Sequence, residues 1–443
     1  MLQPFYKTLA RLALILPLLA LAACGGESAP ADAPQAFTAV AGDGRVTLTW
    51  NQDPNMTYWV FAAQADSVTP DNYNKFPESV LQRGVSSPFT LTGLTNGKTY
   101  SFTINATRNG SPAGPAAPSQ AIVPRPAGTT WTPGAPLGSA DLNKIGAGSS
   151  QYVAVGNAGS IYTVGTGSVG LWVKQNAKTT ADLYAYLFNG TNHMVMGSAG
   201  TLIYSTDAST WTVVDTGAAA KAERFNALAT GGNIYLAVGQ GGAIYTGAAD
   251  ALTAPKPWVK QVSNTTANLN ALIYNAQWKL ENSVSIPRYV VVGDSGTILV
   301  GEVTTTTTGS TVSYSTVWTQ KTSGTDANLY GVTYNSVLGS YFVVGSGGTL
   351  LMSTDTETWT KVALPTTQNL HAIAIGSRIL AVGANGTTVL GAYTSSKGTD
   401  GKTVWSYAWS VGSAGAISKL NDVIAGDGSY LAVGASGTNT RSF

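Results

Sequence analysis

Two glycines three apart in an apolar run, Gly156 and Gly159 of "YVAVGNAGSIYT" (152–163), are the first residues with a spacing that suggests chemistry. A glycine loop cradles a phosphate when a strand leads in and a helix leads out, because backbone N–H groups and the helix dipole then meet the anion. Here the exit reads "SIYT", β-branched and aromatic, which is strand. The only histidines, His193 and His371, lie in different repeats, and His193 sits in an apolar strand where packing is its natural role. Asp141 and Asp182 are the only pair placed to serve a retaining glycosidase, which needs two carboxylates about 5 Å apart. No H-E-x-x-H, G-x-S-x-G or carboxylate cluster occurs. The stretch from residue 129 onward has only Arg224, Arg288, Arg378 and Arg441, too scattered to converge on a substrate carboxylate. The expectation is no catalytic residue, no metal and no cofactor.

The glycine pair recurs, which decides its meaning. The leading glycines are Gly156, Gly197, Gly239, Gly293, Gly345, Gly383 and Gly434, each with a second glycine three positions on. Apolar strand, G-x-x-G, apolar strand is a tight hairpin, with glycine expected to supply the positive φ of the reversal. A short strand precedes each copy, such as "DLNKIGA" or "DLYAYLF". In the first six copies a Trp-bearing strand follows: Trp172, Trp211, Trp258, Trp318, Trp359 and Trp409. Four antiparallel strands repeated every 40 residues or so mean propeller blades. The seventh unit ends at Phe443 without its Trp, while Trp131 stands ten residues before Asp141 with no unit in front of it. The spacing therefore predicts that "TTWTPG" is the outer strand of the last blade, closing the ring without a long exposed edge.

The fold class expected is all-β throughout: a β-sandwich followed by a seven-bladed β-propeller. Residues 36–124 hold "RVTLTW" (45–50), with Trp50 in the core, "YWVFAA" (58–63), and Leu94 six residues before Tyr100. That set resembles a fibronectin type III-like sandwich, the Leu–Tyr spacing being similar to its tyrosine corner, where the phenol bonds back to the chain. It reads as a spacer. Residues 125–443 form the propeller. Two outer hairpins, "YSTDASTWT" (204–212) and "MSTDTETWT" (352–360), resemble the Asp-box of sialidase-type (BNR) repeats, one residue short and without its glycine. With the A-V-G-x-x-G strand pairs, residues 129–443 resemble the photosystem II assembly-factor-like propellers related to those repeats. The resemblance implies a structural Asp-box: Asp207 and Asp355 bonding turn amides beside Trp211 and Trp359.

The leader, residues 1–23, has Lys7 and Arg11 before an apolar run too short to span a bilayer. "LAAC" (21–24) resembles the lipobox of bacterial lipoproteins, which implies cleavage before Cys24 and its acylation, and with Gly25 following, export to the outer membrane, facing the periplasm or the cell surface. Several acyl chains anchor stably. Residues 24–35 read as the lipidated cysteine and a flexible tether. Cys24 is the only cysteine, so no internal disulfide or thiolate metal site can form. Losing Lys7 and Arg11 takes the formal charge from +2 to 0, no footprint for nucleic acid.

Where could a ligand sit? The residues opening each blade should converge at the central channel. One ring reads Asp141, Asp182, Arg224, Asn268, Asn328, Asn369, Lys419; two positions on lies Asn143, Tyr184, Asn226, Asn270, Tyr330, His371, Asn421. Both rings are polar in every blade. Asn and Asp side chains could be satisfying backbone groups where strands begin. Alternatively they form a polar, aromatic-bearing cup for a peptide or glycan, with Tyr184 and Tyr330 as sugar platforms in the second case. Long insertions fall on the opposite face, including a Thr-rich one (301–317) expected to be solvated loop. The function expected is a monomeric, non-enzymatic, membrane-anchored binding or scaffold protein for a protein partner, the alternative being a glycan-binding, less readily glycan-cleaving, propeller.

Overall fold

The structure is a computed structural model that describes residues 30–108, 112–166, 171–231, 234–248, 257–276, 280–281, 284–285, 288–308, 311–399, 401–415, 417 and 419–442. The leader and Cys24 lie outside the described residues. The chain forms two compact units, one from residues up to 40 with 47–91 and 98–123, the other from 124–443 with 41–46 and 92–97.

The N-terminal strands form two sheets. One has the order β1 (Thr38–Gly42), β2 (Arg45–Thr49), β5 (Phe89–Thr92). The other runs β4 (Val80–Val85), β3 (Met56–Ala63), β6 (Tyr100–Arg108), β7 (Gln120–Ile122). Alternation along β2 buries Val46 and Leu48, and Trp50 just beyond it packs at 5.4 Å from the Tyr58 ring. Tyr100 is fully buried and its hydroxyl donates to the Glu78 carboxylate.

Among the described residues, the second unit holds seven four-stranded antiparallel sheets. Sheet 1 is β9 (Leu142–Ala147), β10 (Gln151–Gly156), β11 (Ser160–Gly165) and β12 (Val173–Asn176). The innermost strands of sheets 2 to 7 are Leu183–Phe188, Phe225–Gly231, Leu269–Asn275, Leu329–Asn335, Leu370–Ile375 and Leu420–Gly426. Each packs on the next, and Leu420–Gly426 packs on β9, closing the ring. The outer strand of sheet 7 is β8 (Thr132–Pro133), with Thr132 opposite Arg441 and Pro133 opposite Thr440. A hydrophobic cluster fills each interface between neighbouring sheets. Val153, Val155 and Ile161 of sheet 1, for example, meet Leu183, Val195 and Trp211 of sheet 2, and Tyr152 and Val164 meet Leu431 and Val433 at the closure. Burying a sheet on both faces is what makes the second strands read as continuous apolar runs.

The G-x-x-G turns differ from expectation in one respect. In sheet 1, Ser160 N–H donates to Asn157 O at 3.1 Å across Ala158 (φ 53°) and Gly159 (φ 66°), a type I′ turn. The positive φ values thus belong to the third and fourth positions. The leading glycine is extended, as at Gly197 (φ −160°, ψ −150°). It is glycine for space: a Cβ there would stand 2.0 Å from Asp182 O.

The Thr-rich insertion is also not loop. Its backbone continues the blade as a hairpin of Ile298–Thr308 against Thr311–Lys321, registered through Thr308–Thr311. A run of β-branched threonine suits a strand as well as a solvated loop. A second such hairpin, Thr387–Lys397 with Thr403–Ser413, places Tyr393, Trp405, Tyr407 and Trp409 on one face, against the core of sheets 5 and 6.

Candidate functional site

Every innermost strand carries a β-bulge at the same place. Pairing jumps from Leu142 to Lys144, from Leu183 to Ala185 and from Phe225 to Ala227. It jumps likewise across Asn270, Tyr330, His371 and Asn421. The extra residue is each time the member of the second polar ring. A bulge bends the strand and re-aims the side chain, and these seven side chains line one central cup.

The first ring does structural work in five sheets. Each acceptor takes the N–H of the positive-φ residue in the preceding sheet's turn. Asp182 Oδ1 takes Ala158 N–H at 2.9 Å, Asn268 takes Gly241 at 3.1 Å and Asn328 takes Ser295 at 2.9 Å. Asn369 takes Gly347 at 3.0 Å, and Asp141 takes Ser436 at 2.8 Å across the closure. The exceptions are Arg224 and Lys419, which offer no acceptor.

The second ring does structural work in five sheets as well. Innermost strands are edge strands, so their backbone carbonyls need partners. Asn143 Nδ2 donates to Leu183 O at 2.9 Å, Asn226 to Leu269 O at 2.9 Å and Asn270 to Leu329 O at 2.9 Å. Asn421 reaches Leu142 O at 2.8 Å, and His371 Nδ1 reaches Leu420 O at 2.8 Å. A carbonyl only accepts, so His371 Nδ1 carries the proton and Nε2 is an acceptor. Burial, outweighing the bond to Leu420, and then the Lys419 charge hold this imidazole below its usual range, hence neutral at pH 7. The exceptions in this ring are Tyr184 and Tyr330. The Arg224 guanidinium covers the Tyr184 ring at 3.8 Å from its centroid, and Arg224 Nε donates to Asn226 Oδ1 at 3.1 Å. Tyr330 lies 5.6 Å from the His371 ring.

Below the cup, of about 560 Å³, a narrower shaft of about 210 Å³ runs between the innermost strands. Small residues line it at the next position, Ala185, Ala227, Ala271, Gly331 and Ala372. In sheets 1 and 7 that position holds Lys144 and Asp422, whose ends lie 3.1 Å apart. The second Asp422 oxygen takes Ile145 N–H at 2.8 Å. Burial pushes the Asp422 carboxyl above its ordinary range, against the pull of Lys144 and of the Ile145 N–H. Strict strand alternation places Lys144 and Asp422 away from the channel, which is why sequence reasoning passed over them. The signal was nonetheless there, since aligned repeats show Ala or Gly in the other five.

The remaining candidates are packed or paired. His193 is buried, bonded to the Tyr186 hydroxyl at 2.7 Å beside Phe188, with burial keeping it neutral. Arg288 pairs with Glu302 at 3.0 Å. Asp207 Oδ1 takes the N–H groups of Thr210 and Ser209, both at 2.8 Å, and these bonds hold its carboxyl well below the usual range. Asp355 does the same with Thr358 at 2.8 Å and Glu357 at 2.9 Å, while Trp211 and Trp359 are buried alongside. Burial opposes ionisation of Asp355, but the N–H groups of Thr358 and Glu357 together with the hydroxyls of Ser353 and Thr358 outweigh it and the carboxyl stays low. Asp355→Ala is therefore expected to cost about 1 kcal/mol near neutrality, like loss of a helix cap. A carboxylate held low stabilises above its unfolded pKa, so the gap between wild type and variant should close as pH falls below about 4 in urea melts. Among the described residues no group of three or more His, Cys, Asp or Glu is placed to hold a metal ion.

No family model matches the chain and no curated protein matches it in sequence. Solved structures do match in fold. YCF48 from Cyanidioschyzon merolae superposes with a TM-score of 0.51 at 15% identity, over 71% of this chain and 98% of its own. A second structure, YCF48 bound to D1 peptide, gives 0.51 at 15% identity over 72% of this chain and 96% of its own. At such identity the likeness is one of fold: this chain contains a β-propeller.

Proposed function

We propose that this protein is a non-enzymatic binding propeller that holds a segment of a protein partner in the cup at its channel mouth. The observation that carries the reading is the division of labour in the rings. Ten positions are committed to turn amides or neighbouring carbonyls; Arg224, Lys419, Tyr184 and Tyr330 alone depart from the pattern, and all four line the cup. Natural chains break a repeated structural rule chiefly where function asks for it. A segment of extended chain fits the cup, and the propeller fold is capable of this task, one of its structural neighbours being bound to a peptide. The glycan alternative is weaker, because the Tyr184 face that would stack on a sugar is covered by Arg224. The leader and Cys24 support a lipid-anchored scaffold in the cell envelope, and the sandwich serves as its spacer.

The test is a crosslinking pull-down from native envelopes, comparing wild type with Tyr184→Ala/Tyr330→Ala. A defined protein recovered with wild type should fall at least about tenfold with the variant, as expected for aromatic hot spots. Equal recovery with a variant of unchanged melting temperature removes the cup from consideration. Asp141, Asp182 and Asn268 are poor choices for this test, because each caps a turn.

A further inference from the structure

The two cations of the first ring stand where the fold places an acceptor in the other five sheets, so each forfeits a turn cap. Arg224 is half-buried and pinned by Tyr184 and Asn226; Lys419 is exposed. Among the described residues, neither has a carboxylate within ion-pair distance. Lys144, deeper in the shaft, is already neutralised by Asp422. Among the described residues, no carboxylate lines the cup itself. The nearby acids are occupied: Asp141 and Asp182 by turn amides, Asp294 by the side-chain amides of Asn268 and Asn270, both at 2.8 Å.

From this geometry we infer that the cup selects an acidic peptide segment, whose carboxylates pair with Arg224 and Lys419. The inference rests on the protein-binding reading above and adds the chemistry of the partner. A guanidinium fixed by stacking presents its remaining N–H groups in the planar fork that suits a carboxylate. The neutral His371 contributes an acceptor to the same wall, available to a peptide N–H. Opposing cations across a concave site also steer an anionic chain toward it at low salt.

The test titrates the full chain with hexaglutamate, hexaglutamine and oligogalacturonate by calorimetry at low salt, in wild type and in Arg224→Asn/Lys419→Asn. The substitution restores the acceptor used in the other five sheets, so the variant should melt no lower than wild type. Hexaglutamate is expected to bind wild type at least about tenfold more tightly than hexaglutamine, to weaken with salt, and to lose at least about tenfold in the variant. No binding of hexaglutamate, equal binding of hexaglutamine, or an unaffected variant overturns the inference. So does binding of oligogalacturonate without hexaglutamate, which would make the ligand an acidic glycan. The pull-down separates the two levels. If the asparagine variant captures the partner normally while the tyrosine variant does not, the acidic selectivity fails and the cup reading stands. If both capture it normally, the cup reading fails too.

Discussion

Gly197→Ala is expected to be among the most destabilising single-methyl changes in the propeller, costing about 3 kcal/mol, the upper range for forcing an atom into a full site. The added Cβ would lie 2.0 Å from Asp182 O and 3.0 Å from its carbonyl carbon, both backbone atoms that cannot rotate aside. Separating them breaks the bond from Ser198 N–H to Asp182 O, now 2.9 Å, which ties the turn to the opening of the same sheet. The instructive control is Gly241→Ala, one turn further round the ring. Gly241 has φ 60° and nothing within 4 Å of its Cβ position. Ala158 and Ala199 already occupy the same conformation in other sheets, so this change should cost about 1 kcal/mol or less. Calorimetric melting of both variants checks the pair. Equal losses would mean that the close approach of two backbones is not what the leading glycine serves.

The Lys144–Asp422 pair should matter next most, because it joins the innermost strands of the first and last sheets at the closure of the ring. Lys144→Ala leaves a buried carboxylate, only 5% exposed, without its counter-charge. Breaking a buried pair typically costs about 3–5 kcal/mol; with the Lys144 side chain 41% exposed in the shaft, about 2–3 kcal/mol is expected at pH 8. The pH dependence has a definite sign. Burial already raises the Asp422 carboxyl, so the folded state holds that proton more tightly than the unfolded chain. Its contribution therefore falls as pH rises from the unfolded value of about 4 through the raised folded one. Removing Lys144 raises the folded value further, so the loss should be larger at pH 8 than at pH 5. Lys144→Ala/Asp422→Ala gives this position the residue found in four other sheets, and should cost less than the sum of the singles by about 1–3 kcal/mol. Additive losses, or a loss that does not change with pH, would show that the pair is not coupled.

Much of this molecule was legible in its sequence. The recurrence of G-x-x-G with an apolar strand on each side specified the hairpins, since few arrangements reverse a chain in so few residues. The spacing of Trp131 to Asp141 specified that the propeller's first strand belongs to its last sheet. Asp207 and Asp355 announced their turns, because an aspartate bonding amides two and three residues on is a local event. What the sequence did not reveal depends on contacts between strands and between sheets. The leading glycines looked like turn residues, and only the approach of a distant carbonyl shows that they are spacers. The two polar rings looked uniform. Their separation into ten structural positions and four that depart from the pattern emerges only when each side chain meets the backbone of a neighbouring sheet. Lys144 and Asp422 are 278 positions apart and are brought together by ring closure, after a bulge has shifted the alternation that would otherwise hide them. Local hydrogen bonding and hydrophobic period are written in short stretches of chain and can be read there. The charge and shape of the cup belong to seven strands at once, and only their packing decides them.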